Sequence, residues 1–233
     1  MSLKKDLKKI KIIKEILVKN GYLKLQYIPI NFSYLGIIKE HENISNLIFK
    51  KKHLLFYYSV FPNFYKLFLS KETKLLLKIF YLNEKFILRD LNKIFKKKRL
   101  NEIISSSLVK KIKNKYQFSF SFVPFEKDIF IRDSYKEYTG WFDPKIKKNR
   151  VWIGADSIMF IRFIRKYLNI YKFNNVLEIG SGTGIVISFL SRNVKKCEGI
   201  EINNRALEFS KTNIILNKIK NTKIYYSNIY SKV

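Results

Sequence analysis

Between Val176 and Leu190 the chain reads VLEIGSGTGIVISFL, with three glycines, Gly180, Gly182 and Gly184, inside five residues. Glycine weakens regular structure and is placed where a backbone turns sharply or is approached closely. The apolar run NVLEI before the loop has parallel-strand character, and IVISFLSRN after it carries a helical pattern. Strand, glycine loop and helix are the opening of a doubly wound α/β unit. CEGIEI supplies a second strand that brings Glu201 to its end, NNRALEFSKTNIILN a second helix, and TKIYYSN a third strand.

The spacing within the loop excludes two common uses of such a turn. A dinucleotide fingerprint needs a third glycine where this chain has Ile185, and a phosphate-cradling P-loop needs a Lys-Ser/Thr pair that is missing here. What remains is an acid, Glu178, two positions before a Gly-x-Gly-x-Gly turn, and a second acid, Glu201, after the next strand. This arrangement suits a ligand with an amino-acid end, a nucleoside end and no phosphate. Glycines let the amino-acid portion lie against the backbone, Glu178 accepts from an ammonium group, and Glu201 accepts from ribose hydroxyls. S-adenosylmethionine has that chemistry.

Upstream, Leu3, Leu7, Ile10, Ile13 and Leu17 recur at helical spacing among lysines, so residues 2–18 are expected to form an amphipathic helix ended by Asn20-Gly21. Residues 22–69 are expected to hold further short helices. Ser70 is a candidate cap for a helix through KETKLLLKIFYL, and LRDLNKIF and RLNEIISSSLVKKIK follow as two more. The period then changes to two: Tyr116, Phe118, Phe120 and Phe122 alternate with polar residues in a strand expected to close at Pro124, with DIFIRD as its hairpin partner. Three short helices and a hairpin follow the order of a winged helix, whose third helix would present Lys110, Lys111 and Lys113 to phosphates. The alternative is a packing or positioning appendage with a solvated basic face. In VWIGADSIMFIRFIRKYL a short extended piece becomes a helix capped by Asp156 or Ser157, its apolar side formed by Ile158, Ile161, Phe163, Ile164 and Leu168.

The expected organisation is therefore a helical region over 1–69, a winged-helix-like module over 70–133, a connector over 134–149 and an α/β part over 150–233. The formal net charge of +29 points to a polyanion such as RNA or DNA. Lys, Ile, Asn, Phe and Tyr are all abundant, however, as an AT-rich coding sequence produces, so codon bias competes as the source of the charge. One cysteine, Cys197, and two histidines, His41 and His53, leave no conventional metal constellation, and no metal is expected. The charged N-terminus lacks the apolar core of a secretory signal, and no run approaches the roughly 20 apolar residues of a membrane span. A cytoplasmic location without membrane attachment is expected.

Residues 150–233 resemble the class I S-adenosylmethionine-dependent methyltransferases, with VLEIGSGTG as the first motif and GIEIN as the second. VWIGADSIMF, RALEFSKTNIILN and SNIYSKV resemble the branch in which a winged-helix-like region precedes the catalytic domain. The resemblance implies the first three strands of a Rossmann-like methyltransferase sheet. It also implies that Glu178, Gly180, Ser181, Gly182 and Gly184 surround the methionine part of the cofactor, and that Glu201 and Ile202 meet the ribose and adenine. Asn228 falls where relatives often carry an acid near the adenine amino group; its amide oxygen is a weaker acceptor. The branch's catalytic Asn-Pro-Pro-aromatic motif is not found, so no catalytic residue is assigned. The expectation is the front part of a longer enzyme, inactive alone, that methylates a planar nitrogen of a nucleic-acid base or of a protein glutamine. The alternative is a non-catalytic basic nucleic-acid-binding protein.

Overall fold

A computed structural model describes residues 3–27, 70–92, 94–134 and 150–229. Of the stretch 22–69, expected to hold further short helices, residues 28–69 lie outside the described residues, as does nearly all of the 134–149 connector. Helix α1 (Leu3–Lys19) buries Leu3, Ile10, Ile13, Ile16 and Leu17 while Leu7 is only half-buried. Gly21, at φ +74°, ends it and starts a 3-10 turn, Tyr22–Tyr27. The Tyr22 hydroxyl, fully buried, donates to the Phe122 carbonyl at 2.7 Å, tying this turn to a strand a hundred residues away.

Ser70 caps α2 (Lys71–Leu76) as expected, accepting from the Thr73 amide at 3.1 Å, and the helix continues into a π-turn over Leu77–Tyr81. Helices α3 (Leu88–Asn92) and α4 (Lys97–Ile104) follow. The third helix is shorter than its periodicity implies. Ser105 and Ser106 bond back to the carbonyls of Glu102 and Ile103, a local competition that ends helices. Residues Val109–Ile112 then form strand β1, paired antiparallel with β2 (Lys115–Phe118), so Lys110 and Lys111 sit on a strand and Lys113 in its turn. The single strand expected through Tyr116 and Phe122 is likewise broken: the Ser119 amide donates to the Leu108 carbonyl at 2.8 Å, and β3 (Phe120–Phe125) begins a second hairpin. Its partner β4 (Asp128–Asp133) was expected, but Pro124 lies inside β3 opposite Ile129 rather than closing it. An isolated bridge joins Phe86 to Tyr116. Phe80, Phe86, Phe95, Phe118, Phe120 and Phe122 pack as an aromatic core with centroid spacings from 4.7 to 6.3 Å.

The C-terminal part begins with α5 (Ala155–Ile170). Gly154, not Asp156 or Ser157, is its N-cap, and a Cβ there would lie 2.2 Å from the Asp156 carboxylate. Ile161 and Leu168 are buried and Ile158 and Ile164 half-buried, but Phe163 is 55% exposed, on a face it shares with Tyr167. Strands β5 (Asn175–Ile179), β6 (Lys196–Glu201) and β7 (Thr222–Tyr226) form a parallel sheet in the order β5-β6-β7, connected by α6 (Ile185–Leu190) and α7 (Asn204–Leu216). Cys197 lies buried in the central strand. Among the described residues β5 pairs with β6 alone, and its Leu177 and Ile179 are exposed.

Helix α7 separates two apolar cores. Its Ala206, Phe209 and Leu216 join the core built by α1 and the aromatic module, and its Leu207 and Ile214 join the core of the parallel sheet. Asn213 and Asn217, one turn apart, face β4. The Asn213 side chain accepts from the Ile131 amide at 2.8 Å and donates to the Ile131 carbonyl at 3.0 Å and the Thr183 carbonyl at 2.9 Å. Asn217 repeats the pattern on Ile129, at 3.3 and 3.1 Å. Two side-chain amides thus take the place of a partner strand along β4. Asn213→Ala would strand three buried backbone groups. It is expected to lower unfolding free energy by about 3 kcal/mol in urea denaturation.

Candidate functional site

The site lies at the C-terminal ends of the parallel strands. Gly180, Gly182 and Gly184 have φ of +74°, +54° and +76°, a left-handed region that other residues enter at a cost. The three differ in what surrounds them. A Cβ on Gly180 would meet nothing within 4 Å and one on Gly182 only the Gly180 carbonyl at 3.9 Å, so both leave open space beside the backbone. Gly184 is different. Its Cβ would press on Ser210 of α7 at 3.2 Å, so this glycine permits close packing of the loop on a helix.

Glu201, buried at the end of β6, holds the turn from beneath. One carboxylate oxygen accepts from the Gly182 amide and the other from the Asn203 amide, each at 2.8 Å. Asn203 in turn caps α7, accepting from Arg205 and Ala206. Glu178, near the end of β5, has no such satisfaction: its Oε2 is buried without a hydrogen-bond partner. Burial pushes its carboxyl up to about 8; the Ile187 amide works against that shift, and the neighbouring Glu201 charge adds to it. The Ser181 hydroxyl is also buried and unpartnered.

A cavity of about 550 Å³ opens beside these groups. Asp156, Ser157 and Phe160 of α5 form one wall, and Glu178, Ile179 and Gly180 another. Of the residues expected to bind a ligand, Glu178 and Gly180 line this cavity. Ser181, Gly182, Gly184 and Glu201 build the turn beside it. Ile202 is 60% exposed, Asn228 is exposed just after β7, and neither is part of the wall. Asp156 and Ser157 were expected only as caps; their place in the wall had one sequence signal, their position at the head of the helix that leads into β5. Asn213, which braces the turn through Thr183, had none.

Comparison with known proteins bears on residues 156–233, which match the family described as Methyltransferase small domain. Over 61 residues the chain is 38% identical to the release factor glutamine methyltransferase of Fusobacterium nucleatum subsp. nucleatum, an alignment covering 25% of this chain and 17% of that protein. Among solved structures, the tRNA m1G37 methyltransferase of M. jannaschii superposes with a TM-score of 0.38 at 17% identity, over 59% of this chain and 43% of that one. A dimethyladenosine transferase from Plasmodium falciparum superposes with a TM-score of 0.30 at 27% identity, over 32% and 27%. The family match and the glycine turn fall in the same stretch, so the likeness to methyltransferases is carried by residues 156–233, and the chain spans 17% of the length of the curated relative it matches.

The Glu178 carboxyl gives the ligand-free protein a pH signature. The unfolded chain releases this proton near the ordinary value of 4.5, whereas the folded chain keeps it to about 8, so folding stability falls as pH rises across that window. Glu178→Gln cannot ionise. Its urea midpoint is expected to match that of the parent at the acid end of the window and exceed it by pH 8, checked by parallel titrations.

Proposed function

We propose that residues 150–233 bind S-adenosylmethionine and belong to an enzyme that transfers its methyl group to a planar nitrogen, in a nucleic-acid base or a protein glutamine. The observation that carries the reading is the buried, unpartnered Glu178 oxygen beside a turn whose first two glycines leave room for a ligand. A cationic amino group is the partner that oxygen lacks. With the ammonium seated there, the carboxylate form is favoured and the proton is released to solvent. Glu201 would accept from the ribose hydroxyls with lone pairs its two amide contacts leave over. Gly180 and Gly182 would lie against the methionine chain, Ser181 would offer its hydroxyl, and Ile202 and Asn228, both exposed, would border the adenine. When bound, the cofactor supplies an electrophilic methyl group on a sulfonium.

The glutamine alternative draws on the name of the Fusobacterium relative. In the same proposal residues 70–133 are a winged-helix-like module, a reading supported by the order α2, Phe86 bridge, α3, α4 and the β1–β2 hairpin. Residues 1–69 are a helical region and 134–149 a connector. The chain assayed alone is proposed to bind cofactor without measurable turnover, because no acceptor-gripping Asn-Pro-Pro-aromatic motif is present in it and positioning carries much of such a reaction.

Calorimetry with S-adenosylmethionine tests the reading. Gly182→Val, which places a branched side chain at positive φ beside the ligand, and Glu178→Gln, which replaces the carboxylate facing the ammonium with a neutral and weaker acceptor, are each expected to weaken binding at least about tenfold. Parent affinity should rise with pH up to about 8 and that of Glu178→Gln should not. Unchanged affinity in both variants would overturn the cofactor assignment.

A further inference from the structure

We propose that the outer surface of α4 and the β1–β2 hairpin, residues 96–115, binds the phosphate backbone of a nucleic acid. Lys96, Lys97, Lys98, Arg99, Lys110, Lys111, Lys113 and Lys115 are all exposed there, and Glu102 is the only acid in that stretch. Leu100, Ile103, Leu108 and Val109 point inward, so the cations cover the outside of a module whose interior is fixed.

Codon bias accounts for many lysines but not for two placements that oppose folding. The first turn of a helix favours acids, because unpaired amides give it positive character. In α4 that turn holds Lys97, Lys98 and Arg99 with no acid, after an N-cap, Lys96, whose side chain makes no capping bond. The hairpin turn repeats the conflict: Lys113 has φ +54°, where Gly or Asn is less strained. Local rules broken without a folding benefit mark surfaces used for something else. A polyanion reverses the first conflict, since phosphates favour a helix N-terminus, and it gives the ammonium group of Lys113 an opposite charge to meet at the hairpin turn.

An anionic membrane is the competing partner, but surface helices that enter lipid carry an apolar face beside their lysines. Among the described residues the large exposed apolar side chains lie at Val18 and from Met159 onward, and none falls within 96–115.

The test uses the full chain, an RNA hairpin and a DNA duplex of equal phosphate count, fluorescence anisotropy, and salt between about 50 and about 200 mM. K97Q/K98Q/K111Q/K113Q is expected to lose at least about tenfold in affinity and to flatten the log Kd against log salt slope by about 3 to 4. K4Q/K5Q/K8Q/K11Q removes the same charge from exposed positions of α1 and should lose less than about threefold. Lys→Arg at the same four module positions should retain binding, which separates charge from misfolding. Tighter binding to either oligonucleotide assigns RNA or DNA as the partner. Equal losses in the two glutamine variants, no binding of the parent to either oligonucleotide, or stronger capture by phosphatidylserine vesicles would overturn the proposal. The readout needs no cofactor, so it stands apart from the methyltransferase reading.

Discussion

Asn213 holds together parts of the molecule that are far apart in sequence. From the middle of α7 it satisfies both backbone groups of Ile131 in β4 and the Thr183 carbonyl in the glycine turn, while itself fully buried. A buried amide is stabilising only when its hydrogen bonds are made, and here three backbone groups depend on one side chain. The two apolar cores meet along this helix, so the N-terminal module reaches the turn through α7. Asp133 at the end of β4 extends the contact, accepting from Arg205 Nε at 3.1 Å and from the Val151 amide at 2.7 Å.

The turn itself is braced from below by Glu201 and left open above. Its two carboxylates have opposite situations. Glu201 is surrounded by amide donors that suit a negative charge, whereas Glu178 is desolvated beside it with an oxygen unpartnered. A protein that needed only to fold would gain by replacing Glu178 with an apolar residue. Retaining it makes sense if the missing partner is a ligand.

Much of this was legible in the sequence because the signals were local. Strand, glycine loop and helix followed from the glycines between apolar runs, α1 from its spacing, and the Ser70 cap from a hydroxyl before a helical pattern. Expectations failed where a tertiary contact overrode local pattern. RLNEIISSSLVKKIK has helical spacing throughout, yet Ser105 and Ser106 divert their carbonyl partners and Val109–Ile112 gains more from pairing with β2. The aromatic alternation from Tyr116 to Phe122 survives a break at Ser119 because each half faces the same core. The Gly154 cap reflects the fold of Asp156 back over the chain, and Asn213 meets a strand 82 residues away. Neither has a sequence-local trace.

Cys197 turns the middle of the sheet into its own reporter. It is the chain's single cysteine, has no exposed surface in the central strand, and burial pushes its thiol up to about 11. The reactive thiolate is thus scarce in the folded state and out of reach of a reagent. A thiol-reactive dye would mark β6 only when the strands part, and its labelling rate would act as a clock for opening of the layer that carries the glycine turn.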